Sequence, residues 1–203
     1  MDKKQLEDKA LEVGQKALKL HKEKNFQEAE KFYLEAIELI EKANPNRKMG
    51  DICEKRCLLY YNLALVYVNM GKRVTAIDYF WEAFASAPQG HDVVAESCEY
   101  IAALYESLGN LHDAERWFLK AVRADCNRPS PHINLGRVFF KLEKYELAEQ
   151  AYLNVIDLDP CYALAYNKLS ELYSFLGKEK EAKENAEKAK ELYESGTATE
   201  HKL

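Results

Sequence analysis

Five alanines, Ala29, Ala76, Ala114, Ala148 and Ala182, open the same short helical phrase along this chain, and the last two intervals between them are each 34 residues. Matching first halves stand ahead of four of them: Tyr60, Leu63, Ala64 and Tyr67; Cys98, Ile101, Ala102 and Tyr105; His132, Leu135, Gly136 and Phe139; Tyr166, Leu169, Ser170 and Tyr173. Positions i, i+3, i+4 and i+7 form one stripe of an α-helix. A second stripe, at i, i+4 and i+7, follows in Ala76, Phe80 and Ala83, in Ala114, Phe118 and Ala121, and in Ala148, Tyr152 and Val155. A lone pair of such helices cannot bury both of its faces, whereas stacked neighbours can, so the chain is constrained to an array of helical pairs. The small residues Ala64, Ala102, Gly136 and Ser170 are expected to face the alanines and let paired helices approach.

The punctuation agrees. Gly71, Gly109 and Gly177 fall between first and second helices, where a left-handed residue ends a helix cheaply. Pro88 and Pro160 close their repeats, and Ser130-Pro131 and Asp159-Pro160 read as an N-cap followed by proline. Two intervals depart from 34. Ala29 to Ala76 is 47 residues, which predicts longer helices on both sides of a break at Asn44-Pro45-Asn46. Ala76 to Ala114 is 38, about one extra helical turn near Pro88 to Asp92.

The order large-x-x-Leu-small-x-x-aromatic, then Ala-x-x-x-aromatic, at a period of 34, resembles the tetratricopeptide repeat. The resemblance implies an all-α fold, a right-handed superhelical α-solenoid of five helix-turn-helix repeats. One array is expected over residues 1–194, with repeats at about 10–43, 57–90, 95–128, 129–162 and 163–194, and a disordered C-terminal tail over 195–203. The first repeat carries Val13, Ala17 and Leu20 but Lys16 in the leucine slot, as suits an end repeat with a solvated side. The last has Ala186 in the aromatic slot and an otherwise charged second helix, which reads as the C-terminal cap.

Charge narrows the function. The chain is 31% charged with a net charge of -5 and no long block of one sign, so no basic surface is available to displace counterions from nucleic acid. No apolar run approaches the roughly 18 residues of a membrane span, and the N-terminal segment has no apolar signal core, so no membrane insertion or secretion is expected. The five cysteines form no C-x-x-C pair. Cys53 and Cys57 lie four apart on one helix face but lack two further metal ligands; free thiols in a reducing compartment are the expectation. The five histidines belong to five segments, with His132 in a packing slot, and no nucleophile stands beside a base in any known catalytic motif. No enzyme activity, cofactor, metal or small-molecule substrate is expected.

By resemblance, the first helices line a concave groove that holds a peptide or helical segment of a protein partner. The groove-facing residues are then Leu58, Tyr61, Asn62, Leu65 and Asn69; Glu96, Glu99, Tyr100, Ala103 and Glu106; Ile133, Asn134, Arg137, Phe140 and Lys141; and Leu164, Asn167, Lys168, Glu171 and Phe175. Asn62 and Asn134 share one slot, where an amide can both donate to and accept from a peptide backbone. Glu96, Glu99 and Glu106 read as an acidic wall, and Arg137, Lys141 and Lys168 as a basic one. Co-chaperones of this family grip acidic C-terminal tails with a lysine, asparagine and arginine clamp; here those positions are Gly14, Leu18, Asn62, Glu96 and Tyr100, and only the asparagine matches. A non-catalytic adaptor or scaffold is therefore the leading expectation, with a co-chaperone using an atypical clamp, or a fixed subunit of a larger complex, as alternatives. The expected location is the cytoplasm; the final His-Lys-Leu resembles the peroxisomal Ser-Lys-Leu address with a bulkier first residue.

Overall fold

The computed structural model describes residues 1–45 and 54–199, and among these every regular element is helical. The order is α1 (Lys3–Lys22), α2 (Phe26–Ala43), α3 (Glu54–Asn69), α4 (Arg73–Ser86), α5 (Asp92–Ser107), α6 (Leu111–Ala124), α7 (Pro129–Lys141), α8 (Tyr145–Leu158), α9 (Ala163–Phe175) and α10 (Glu179–Glu194). Two compact units divide the chain, Met1–Leu104 and Tyr105–Leu203, with the boundary inside α5.

The turn between paired helices repeats five times with the same geometry. Its central residue has positive φ: Lys24 at 61°, Gly71 at 73°, Gly109 at 80°, Glu143 at 60° and Gly177 at 72°. The amide of the next residue reaches back to the carbonyl five positions earlier, at 2.9 Å in each case: Asn25 to Leu20, Lys72 to Tyr67, Asn110 to Tyr105, Lys144 to Phe139 and Lys178 to Tyr173. This is the Schellman closure, which satisfies carbonyls that a helix end leaves bare. The first and fourth repeats achieve it with Lys24 and Glu143, side chains that resist the left-handed region.

The core follows the alanine phrase. Ala29, Ala76, Ala114 and Ala148 are fully buried, and the aromatic residues four positions on, Tyr33, Phe80, Phe118 and Tyr152, are buried as well. In the second unit Gly136 does more than face an alanine. A Cβ there would stand 2.4 Å from Cε1 of Tyr152, so the ring lies flat in space that only glycine leaves open. Gly14 admits Leu59 of the neighbouring repeat in the first unit, where a Cβ would come within 2.9 Å of Cδ2.

Successive repeats are tied by a carboxylate one residue after the alanine. In the first unit Glu30 accepts from the Tyr67 hydroxyl at 2.8 Å and lies 3.7 Å from Lys72 Nζ. In the second unit Glu149 accepts from Tyr173 at 2.6 Å, while Glu115 accepts from Lys144 at 2.7 Å, Phe139 standing in the tyrosine slot. After three of the five turns a lysine also sits over the aromatic ring, Lys72 on Tyr67, Lys144 on Phe139 and Lys178 on Tyr173.

Several local expectations are corrected. Helix α7 begins at Pro129 with Arg128 as N-cap, so Ser130 lies inside the first turn rather than before it. Asp159 closes α8, and its carboxylate accepts from the Cys161 amide at 2.9 Å, making an Asx turn; α9 starts only at Ala163. Of the two helices flanking the long first interval, α2 has 18 residues against 14 in α4, α6 and α8, but α3, with 16, is no longer than α5. Asn46 and Cys53, part of the expected break and of the weighed metal pair, lie outside the described residues. Lys16, in the slot of a core leucine, places its ammonium over the Phe32 ring at 3.9 Å. The last helix buries only Ala182, Ala189 and Leu192, a stripe suited to one neighbour. Beyond it the amides of Ala198 and Thr199 donate to Leu192 and Cys161.

Candidate functional site: the exposed faces of the first helices

In the first unit, α3 and α5 bring their aromatic residues together. The Tyr100 ring stacks on buried Phe80 with centroids 4.8 Å apart and planes 5° from parallel, and Tyr61 meets both edge-on, at 5.6 Å and 6.0 Å. Burial first, then a hydrogen bond and negative charge from Glu96, push the Tyr61 phenol far up in pKa, so it stays a neutral donor. Tyr100 is raised by burial and by the charges of Glu96 and Glu99. Expected site residues Tyr61, Glu96, Glu99 and Tyr100 are thus one cluster, based on the core residue Phe80.

Asn62 lies beside this cluster on α3, half-buried, with one amide proton committed to the Leu58 carbonyl at 2.8 Å. Asn69 does the same with Leu65, whose side chain is half-buried. Such back-bonding leaves the Asn62 amide oxygen and one N–H for another partner, whereas the Asn69 amide nitrogen also lies 3.2 Å from His21 Nε2.

The second unit presents α7 and α9. Arg137 grips Glu106 with two bonds, Nε to Oε1 at 3.0 Å and Nη2 to Oε2 at 2.6 Å, and Lys141 adds a third at 2.7 Å. Glu106, with its side chain 8% exposed, therefore belongs to the basic cluster and not to an acidic wall. Its burial favours the neutral acid, but bonds and charges from Arg137 and Lys141 outweigh that and hold its pKa below the ordinary value. Lys168 is matched along its own helix by Glu171 at 2.7 Å. The basic wall is mostly internal ion pairs. Asn134 is half-buried, with no side-chain hydrogen bond among the described residues, whereas Ile133, expected on the open face, is buried.

An aromatic trio stands at the ends of these helices. Phe140 meets Phe175 at 5.3 Å and Tyr145 at 5.8 Å, and Tyr145 meets Phe175 at 5.3 Å. Phe175 remains 60% exposed. Tyr145 was missed in the sequence because it opens a second helix; the one available signal was Phe26, the aromatic in the same slot of the first repeat. Among the described residues no group of three or more His, Cys, Asp and Glu side chains converges as metal ligands do, and no helix is long and apolar enough to cross a membrane. His132, in its packing slot, is buried and bonds the Cys126 carbonyl at 3.2 Å.

A chain of paired helices with Schellman turns, buried alanines and unspent polar and aromatic groups on its first helices is a helical-repeat protein. The tetratricopeptide repeat profile matches residues 13–42, 59–89, 130–160 and 163–195, and a second profile of the same description matches 94–124. The chain belongs to the tetratricopeptide repeat family. Among curated proteins it is similar to human Protein O-mannosyl-transferase TMTC2, 26% identical over 101 residues, which is 49% of this chain but only 12% of that protein's length. Among solved structures it is similar to YrrB, described as a TPR protein with an unusual peptide-binding site, at TM-score 0.69 and 21% identity over 90% of this chain and 86% of the other. MamA from Desulfovibrio magneticus RS-1 gives 0.74 and 18% over 93% and 97%, and BtubC from P. vanneervenii 0.75 and 16% over 100% and 95%. At these identities the likeness is one of fold, and the fold is in general a scaffold for protein contacts.

Proposed function

We propose that the chain is a non-catalytic adaptor that holds a peptide or helical segment of a partner protein against the exposed faces of its first helices. The observation that carries this is the pairing of neighbouring first helices within each unit: Tyr61, next to the half-buried Asn62, with Tyr100, and Phe140 with Phe175. Rigid aromatic surface with flanking amides is the combination that anchors peptide side chains and reads peptide backbone. The peptide-binding site named for YrrB, a protein of the same fold, supports the reading. Residence in the cytoplasm is part of the proposal and rests on the charged, unsegmented composition.

The test is affinity purification from native lysate with mass spectrometry, comparing the intact chain with an Asn62→Ala, Asn134→Ala double variant of checked helicity. Loss of a specific partner by the variant supports the first-helix faces as the binding surface. A partner that stays bound to the variant refutes that placement and moves the site to the second helices or to the long interval after Asn44.

A further inference from the structure

We infer that the exposed face of α1 is a contact for a second copy of this chain, whose own α1 lies across it antiparallel. The inference goes beyond the adaptor reading and does not use the Tyr61–Tyr100 or Phe140–Phe175 pairs on which that reading rests.

Lys4, Asp8, Leu11, Gln15, Leu18 and Lys22 recur at alternating steps of four and three, the spacing that keeps one line of side chains along a helix turned toward a neighbouring helix. All six are exposed, Leu11 by 52% and Leu18 by 36%, whereas the buried side of α1 is Ala10, Gly14 and Ala17. The two leucines stand about 10 Å apart along the axis. Helix α3 borders this line, held by Lys55 on Glu7 at 3.1 Å and by Leu59 against Gly14. It adds Leu58, 40% exposed, and the half-buried Leu65 on either side of Asn62, so the apolar strip widens without a further charge.

Charge identifies the occupant. The charged residues of α1 fall on three sides. Toward α3, Glu7 takes Lys55 and lies 4.0 Å from Lys3, and His21 meets the Asn69 amide; at the start of α3 itself, Glu54 lies 3.9 Å from His91. Toward α2, Lys16 sits over the Phe32 ring, and Lys9, seven residues earlier, shares that side. The open face keeps Lys4, Asp8, Glu12, Lys19 and Lys22, with both acids ahead of Gln15 and two lysines after it. A copy laid antiparallel about Gln15 therefore sets Asp8 opposite Lys22, Glu12 beside Lys19 and Leu11 beside Leu18, and the two-fold axis forms each pair twice. Lys4 falls outside the matched stretch, opposite the turn that carries Glu23. A parallel copy would set Asp8 on Asp8 and Lys22 on Lys22, which like charges oppose. Asp8, Glu12 and Lys22 make no ion pair among the described residues, and Lys19 has only an exposed 4.0 Å contact with Glu23, so the face gives up almost nothing when the second copy arrives.

The test is sedimentation velocity on the intact chain over a concentration series at low salt, beside Asp8→Lys and Lys22→Asp. Both variants change exposed side chains, and helicity and thermal stability equal to the parent are the control for folding. The expected result is a parent that passes from monomer to dimer as concentration rises. Each variant alone carries one sign of charge at both ends of the leucine line, so its dimer dissociation constant rises about tenfold or more. An equal mixture of the two variants recovers dimers, because the lysine ends of one then meet the aspartate ends of the other, and the double variant Asp8→Lys, Lys22→Asp recovers them on its own. A parent that stays monomeric up to about 0.5 mM, single variants that associate as the parent does, or a mixture that stays monomeric would each overturn the inference. None of these outcomes touches the adaptor reading, which the Asn62→Ala, Asn134→Ala comparison tests separately.

Discussion

Replacing Glu143 by glycine should stabilise the second unit, and the size follows from one dihedral angle. Glu143 sits at φ 60°, in the slot where three other repeats have glycine. Holding a residue with a Cβ in the left-handed region costs roughly 1–2 kcal/mol. Glycine removes that cost but gives back about 0.5–1 kcal/mol through the greater freedom of the unfolded chain. The net gain is about 0.5–1 kcal/mol, or a Tm rise of about 2 °C for a chain of this size. Glu143 is exposed and makes no side-chain hydrogen bond or ion pair among the described residues, so no contact is lost. Urea unfolding followed by circular dichroism, with amide exchange in α7 and α8 as a local readout, measures it. Glu143→Ala is the control, because alanine keeps the Cβ and should give no gain, and Gly177→Ala should lose about 1 kcal/mol. A Glu143→Gly variant no more stable than the parent, or an alanine variant as stable as the glycine one, would refute the reasoning.

Other consequences are as direct. Gly136→Ala should cost about 1–3 kcal/mol, because the rigid Tyr152 ring must move from 2.4 Å, and unfolding midpoints will show it. Tyr67→Phe should cost about 1 kcal/mol by leaving Glu30 without its phenolic donor, whereas Tyr33→Phe should be neutral or slightly stabilising, since the Tyr33 hydroxyl is buried with no hydrogen-bond partner; paired denaturation curves decide. Glu106 has a folded pKa below its unfolded one, so the stability it contributes is present above about pH 4.3 and is lost as pH falls further; the acid limb of stability should flatten in Glu106→Gln. His21 is likewise depressed, by burial, while its ring nitrogen lies 3.2 Å from the Asn69 amide. Protonation below about pH 6.5 should therefore weaken the first unit, and NMR titration of His21 checks it.

The array was legible because its signals repeat: alanine with an aromatic four residues on marks a buried stripe whether the ring is Phe80 or Tyr152. Turn chemistry was legible only where glycine announced it. Lys24 and Glu143 occupy the same left-handed slot, and no propensity flags a lysine or glutamate there. Caps near proline misled, since Pro129 and Pro131 both suit a first turn and the choice between them depends on packing. At the candidate site the sequence identified side chains but not their pairing. Glu106 and Arg137 are 31 residues apart, so nothing local showed that they neutralise each other. Tyr145 was hidden for the same reason, because its partners Phe140 and Phe175 belong to other helices.

Where a partner sits decides whether the first helices are the binding surface. Hydrogen exchange with mass spectrometry on the chain alone and on the complex recovered from lysate reads this without knowing the partner in advance. Protection should concentrate on the segments carrying Tyr61 and Asn62, Tyr100, Arg137 and Phe140, and Phe175. Protection confined to α4, α6, α8 and α10, with the first helices exchanging as in the free chain, would contradict it.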